Sequence, residues 1–228
     1  NDVSFCVNLI SRVNNLISTS ELSQVFAFQV PTIGNSDLSK VIVEFISQDK
    51  RELKLLRINL ESVKFDFQVR EILVNAIGKY LLNKARNGVF KQSPVVAFMD
   101  EAHQFLNKAV RDDYFGSKPL DAFDSIAKEC RKHGLFLCIS TQMPRDIPQG
   151  TLSQMGTFIV HRLINPYDKE AISNACSSAN RNTLEFLPVL GEGEAILTGV
   201  DFPMPISMIF DKPHNEPDSG TPAIVNTK

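Results

Sequence analysis

Two adjacent carboxylates closing an apolar run are the first residues here whose type and spacing suit chemistry. Met99-Asp100-Glu101-Ala102-His103 follows Pro94-Val95-Val96-Ala97-Phe98, a near-continuous apolar stretch that reads as a strand. An apolar strand delivering Asp and then Glu is the Walker B pattern. The Asp can hold Mg2+ through water, and the Glu can orient or polarise an attacking water. The same pair also suits a solvated strand end before a helix N-terminus, where acids are favoured by the dipole. A second apolar run, 135–140, ends in Ser140-Thr141-Gln142. A side-chain amide there can hydrogen-bond a γ-phosphate or the attacking water and report hydrolysis; a turn-forming polar end before Met143-Pro144 is the plainer alternative. Between the two runs lies Glu129-Cys130-Arg131-Lys132-His133-Gly134. Basic residues suit a helix C-terminus, and an arginine there also suits a finger reaching a neighbour's nucleotide.

The remaining reactive side chains are dispersed. Cys6, Cys130, Cys138 and Cys176 form no C-x-x-C pair, and His103, His133, His161 and His214 are not at helical ligand spacing, which argues against zinc. Scattered, mostly apolar-flanked cysteines suit reduced thiols, so a cytoplasmic location is expected. The stretch 107–118 holds Lys108, Arg111 and Lys118, which suit phosphate contacts without base readout. Asp112 and Asp113 offset part of that charge, and an ordinary solvated loop has the same composition.

The elements that must position these residues follow from periodicity. Val3, Val7, Ile10, Val13, Leu16 and Ile17 recur at helical spacing, and a second set (Leu22, Val25, Phe26, Phe28) follows Ser20, a candidate N-cap. Pro31 and Gly34 break the pattern; 37–46 reads as a short helix and 48–52 as a polar turn. Residues 53–60 read as a strand. Residues 68–84 form the clearest helix, with Val69, Ile72, Leu73, Ala76, Ile77, Tyr80 and Leu81 as one apolar stripe, ended by Asn87-Gly88. Further expectations are a helix over 120–132 stopped by Gly134, buried strands over 94–99, 135–140 and 157–161, and a helix over 166–176 opened by proline. Stretches 193–199 and 205–210 read as an antiparallel pair, and 211–228 as a mobile tail. Alternating strands and helices indicate an α/β fold around a mostly parallel sheet, whose ligands sit at the carboxyl ends of the strands.

Composition fits one ordinary domain or a domain with an appendage: 228 residues, 43% apolar, 22% charged, 16 Phe and no Trp. A net charge of −2 excludes a broadly basic nucleic-acid-binding surface but leaves room for a local basic loop. No run of about 18 apolar residues and no signal peptide occurs, so no membrane span is expected.

The ordered motifs resemble the HerA-like branch of the HerA/FtsK ATPases. The resemblance covers about residues 53–210. It joins Val95 to His103, then Glu129-Cys130-Arg131-Lys132-His133-Gly134-Leu135, then Ser140-Thr141-Gln142-Met143-Pro144. It continues through Leu152-Ser153-Gln154-Met155-Gly156-Thr157, Arg162-Leu163-Ile164-Asn165-Pro166-Tyr167-Asp168 and Leu190-Gly191-Glu192-Gly193-Glu194-Ala195. The resemblance implies a RecA-like P-loop NTPase core, ATP and Mg2+ as cofactors, and a homo-hexameric ring that translocates double-stranded DNA. It also implies a partner, a nuclease of the NurA kind or an antiphage defence effector such as a sirtuin-like enzyme. By motif, Asp100 is the Mg2+ carboxylate, Glu101 the catalytic glutamate, Gln142 the sensor glutamine and Arg131 the trans arginine finger. Arg162 is a second inter-subunit, nucleotide-side or structural arginine. Cys130 stands where the motif usually has its first glycine. The stretch 107–118 corresponds to a region that faces the channel in such rings.

One departure bears on all of this. No G-x-x-x-x-G-K-[ST] occurs in the sequence, so the backbone cradle and lysine for the β- and γ-phosphates are absent from it. The first residue, Asn1, also reads as an internal start. The expectation is the C-terminal portion of a longer ATPase, inactive by itself: a helical segment over 1–52, the C-terminal part of the core over 53–210 and a tail over 211–228. The alternative is a non-catalytic, ring-forming scaffold that docks an effector enzyme, including a subunit that has lost its phosphate loop.

Overall fold

Among the described residues, three helices precede the first strand. They are α1 (Asp2–Ser18), α2 (Leu38–Ser47) and α3 (Val69–Arg86). The chain then forms β1 (Val95–Met99), a hairpin of β2 (Ala109–Asp112) and β3 (Gly116–Pro119), α4 (Ala122–Glu129) and β4 (Leu135–Ile139). After these come a short helix α5 (Gln149–Leu152), β5 (Thr157–Val160), α6 (Pro166–Ala175), β6 (Glu194–Gly199) and β7 (Ile206–Ile209). This is a computed structural model, and it describes residues 2–18, 37–47, 54–61, 63, 68–112, 116–176 and 185–215. The expected second helical set 22–28 with its Ser20 cap, the 31–34 break, the 48–52 turn and the tail beyond residue 215 lie outside the described residues. The chain divides into two units, Asn1–Gln142 and Met143–Lys228.

In the first unit β1 and β4 run parallel, in register from Val95 beside Leu135 to Met99 beside Ile139. Two parallel strands need a crossover, and α4 with its hairpin supplies it. The α/β class expected from alternation is therefore what the first unit shows. Met99 and Leu135 are buried on one face of the pair, whereas Val96, Phe98 and Phe136 are exposed on the other. The expectation of buried strands thus holds for one face only. Strand neighbours in register share a face, so the exposed side chains form one continuous apolar surface.

Helix α3 ends as the sequence predicts. Asn87 caps it, and Gly88 adopts φ +78°. Its buried face differs from the expected stripe: Val69, Val74, Asn75, Gly78, Leu82 and Ala85 are buried, and Ala76 is exposed. The reason is close packing against α4. A Cβ at Gly78 would lie 2.7 Å from a ring carbon of Phe123 and 2.9 Å from Cβ of Ala122. Asn75 Oδ1 accepts the Ala122 amide at 3.0 Å and satisfies an N-terminal donor of α4. The smallest residues, not the largest apolar ones, decide which side of α3 faces inward.

Two further readings are corrected. Residues 54–60 form no strand: Leu55 is 90% exposed, and no described strand pairs with this stretch. An apolar run becomes a strand only where a neighbour takes its backbone hydrogen bonds. The stretch read as a solvated loop after Glu101 is instead the β2–β3 hairpin. It is entered through Asn107 at φ 57°, a left-handed turn residue that asparagine tolerates.

In the second unit β6 pairs antiparallel with both β5 and β7. The β6–β7 pair is the expected antiparallel one. Strand β5, read as a member of the mostly parallel sheet, is antiparallel too; period-2 patterning carries no strand direction. Helix α6 begins as its sequence dictates. Asn165 Oδ1 accepts the Tyr167 amide at 2.9 Å, and Pro166 occupies the first helical turn.

Candidate active site

The carboxyl ends of β1 and β4 are tied together by main chain. Ser140 N–H donates to Met99 C=O at 2.9 Å, and Ala102 N–H donates to Ser140 C=O at 2.9 Å. These bonds extend the parallel ladder past Ile139 and bring the two motif ends face to face. The chain turns sharply at Glu101, which adopts φ 48° and ψ 46° at the start of the 3-10 turn Ala102–Gln104. For a glutamate this left-handed conformation is uncommon and marks a backbone held by its surroundings.

The turn delivers the Glu101 carboxylate to the residues after β4. Gln142 Nε2 donates to Glu101 Oε1 at 2.8 Å. His103 Nδ1 lies 3.3 Å from Glu101 Oε2 and 3.1 Å from Thr141 Oγ1. The Glu101 side chain is 34% exposed overall, yet Oε2 itself is shielded and accepts no well-formed hydrogen bond among the described residues. Oε1 meets Gln142 on the exposed side. Of the residues singled out in the sequence, Glu101 and Gln142 are therefore in direct contact. His103 is the site residue that had received no role. Its partner Thr141 is 38 residues away in sequence, so no local spacing signals the contact.

Asp100 is exposed beside them, and its Oδ1 accepts the Glu101 amide at 3.0 Å. No trio of His, Cys, Asp and Glu among the described residues is arranged to cage a metal. One open carboxylate at a strand end fits Mg2+, which keeps several waters and takes most other ligands from a phosphate chain. The donor set thus fits a Mg2+-nucleotide and does not fit a structural metal.

Arg131 stands at the other end of the strand pair. It lies in the 3-10 turn Cys130–His133 before β4, is exposed, and makes no ion pair among the described residues. The turn closes at Gly134, with φ +80°, whose carbonyl accepts the Val95 amide at 2.9 Å. A five-residue strand spans about 13 Å. Arg131 and Glu101 of one chain are hence held at opposite ends of that length. Cys130 beside it is fully buried, and burial, then the Glu129 charge, push its thiol up from the ordinary range. Burial raises the Cys138 thiol likewise.

Of the three cations read as phosphate contacts, Lys108 immediately precedes β2, and Lys118 lies on β3 and is exposed. In the ladder Lys118 stands opposite Val110 and Arg111 opposite Ser117, so the two cations occupy adjacent rungs. Arg162 is exposed in the second unit, just after β5. Among its described residues the second unit holds one buried carboxylate. Asp168, 4% exposed, accepts the Arg145 amide and its guanidinium Nη1, both at 3.2 Å. The end of the Arg162–Asp168 motif thus has a structural explanation: Asn165 caps α6 and Asp168 anchors the turn after Pro144.

Comparison with known proteins adds the following. Residues 85–213 match the model of the helicase HerA-like C-terminal family. A probable helicase of Methanocaldococcus jannaschii is 34% identical over 116 residues, covering 50% of this chain and 21% of that protein. The DNA double-strand break repair helicase HerA of Pyrococcus furiosus is 30% identical over 49% of this chain and 19% of its own length. That of Saccharolobus solfataricus is 29% identical over 75% of this chain and 34% of its own length. The chain spans about a fifth to a third of these three relatives. A solved structure of the genome packaging NTPase B204 from Sulfolobus turreted icosahedral virus 2 with AMPPCP superposes with a TM-score of 0.46 at 20% identity, over 62% of this chain and 63% of that one.

Proposed function

The chain belongs to the helicase HerA-like C-terminal family, and from that premise we propose that it is the catalytic C-terminal portion of a ring-forming ATPase that moves double-stranded DNA. The observation that carries the reading is the 2.8 Å bond between Gln142 Nε2 and Glu101 Oε1 at the carboxyl ends of two parallel strands. It unites a carboxylate suited to activating water with an amide suited to sensing phosphate, where such folds bind ligands.

Asp100 would hold Mg2+, whose charge neutralises phosphate oxygens when bound. Glu101 takes a hydrogen bond from the attacking water and polarises it. Gln142 exchanges its bond to Glu101 for one to the water or the terminal phosphate, and so couples nucleotide state to the end of β4. Arg131 is directed at a neighbouring subunit's nucleotide, because its own site lies a strand length away. Arg162 is a second candidate on the nucleotide side or between subunits. Lys108, Arg111 and Lys118 on and beside the hairpin touch phosphates of duplex DNA in the ring channel, which suits sequence-neutral movement. The assembly is a homo-hexamer, and its partner is a nuclease or an antiphage defence effector.

The test is ATP turnover by the full-length protein with and without linear duplex DNA, alongside the mass of the oligomer. Glu101→Ala is expected to abolish turnover while leaving the oligomer mass unchanged. Turnover at the wild-type rate by that variant would remove the assignment.

A further inference from the structure

We infer that His103 is a positioning residue for Glu101, held in place by Thr141. The inference rests on the reading above, in which Glu101 activates the water. The two carboxylate oxygens of Glu101 meet different surroundings. Oε1 lies on the exposed side against Gln142. Oε2 is turned inward, shielded from solvent, with His103 Nδ1 at 3.3 Å. A shielded carboxylate oxygen with no donor is unfavourable, so the site favours a proton on Nδ1. With Thr141 Oγ1 at 3.1 Å, that proton is shared between the two oxygens.

The consequence is geometric. A carboxylate gripped only at Oε1 by Gln142 would swing about its side-chain torsions whenever Gln142 left to meet phosphate. Gripping the inner oxygen through His103 keeps the outer one aimed at the same point throughout. Glu101 is thereby linked to both residues that follow Ser140: directly to Gln142, and through the imidazole to Thr141. The left-handed backbone at Glu101 places its side chain and that of His103, two residues on, on the same side of the turn.

The experiment uses the full-length protein with duplex DNA and reads kcat, KM and affinity for a fluorescent ATP analogue. His103→Ala is expected to lower kcat roughly tenfold to a hundredfold, the range for slight misplacement of a catalytic group, with KM and analogue affinity unchanged within about twofold. His103→Asn places an amide N–H at the position of Nδ1 and is expected to restore most of kcat. His103→Gln, which reaches toward Nε2 instead, is not. Thr141→Val is expected to show a smaller loss of the same type. In single-turnover assays, adding His103→Ala to Glu101→Gln is expected to change little, because the effect passes through the carboxylate. The inference is overturned by a wild-type kcat in His103→Ala, by equal losses in His103→Asn and His103→Ala, or by the same fold-loss in the Glu101→Gln background. If His103→Ala does not fold, His103→Asn against His103→Gln, together with Thr141→Val, decides it. Full turnover by Glu101→Ala would instead sink the underlying reading of the site.

Discussion

Gly134, just before β4 at the end opposite Glu101, carries a tight steric constraint. Its φ is +80°, and a Cβ there would lie 2.2 Å from the carbonyl oxygen of Phe90. Gly134→Ala must strain the backbone and push two segments apart, so a stability loss of about 2 kcal/mol or more is expected, seen as a lower unfolding midpoint. The glycine in the Arg131–Gly134 motif is accordingly structural, while the exposed Arg131 beside it is free to act on something else. The sequence sets Glu101 and Gln142 at the ends of two apolar runs, and the structure makes those runs parallel neighbours and brings the two side chains into contact. His103 was not legible: searching for helical ligand spacing misses a contact made across two strands, from a residue whose partner lies 38 positions away.

At the scale of elements, the Arg162–Asp168 motif shows how one short segment serves several structural ends. Asn165 caps α6, Pro166 opens it, and Asp168 reaches back from its first turn to Arg145. Asp168→Ala removes a buried acceptor from both the amide and the guanidinium of Arg145. A loss of roughly 1–3 kcal/mol is expected, measurable by chemical denaturation, with a smaller loss for Asn165→Ala. The end of α3 and the start of α6 were readable from Asn87-Gly88 and Asn165-Pro166, whereas α4, expected over 120–132, spans Ala122–Glu129 and passes into the 3-10 turn that Gly134 closes. Three features were not readable. Residues 54–60 look like a strand until one asks what pairs with them. The inward face of α3 depends on Gly78 and Asn75, which a hydrophobic stripe ignores. The β2–β3 hairpin is hidden by charged residues, since it is held by backbone pairing and not by apolar alternation.

For the whole molecule, the apolar face of Val96, Phe98 and Phe136 stands open among the described residues. No described helix is long and apolar enough to cross a membrane. The isolated 228-residue chain is expected to bind a hydrophobic dye such as ANS at this face, and Phe98→Ser to reduce that signal. The chain alone, without a glycine-rich phosphate loop in its sequence, is also expected to show no ATP turnover. The parallel pair that holds Arg131 and Glu101 at opposite ends has a genetic consequence. On the function proposed above, a chain lacking Arg131 would keep an intact water-activating end, and a chain lacking Glu101 would keep an intact finger. Two inactive proteins mixed before assembly should therefore complement, each supplying what the other's interface lacks, and recover part of wild-type turnover. Were both groups to serve the same copy's nucleotide, every mixture would stay dead.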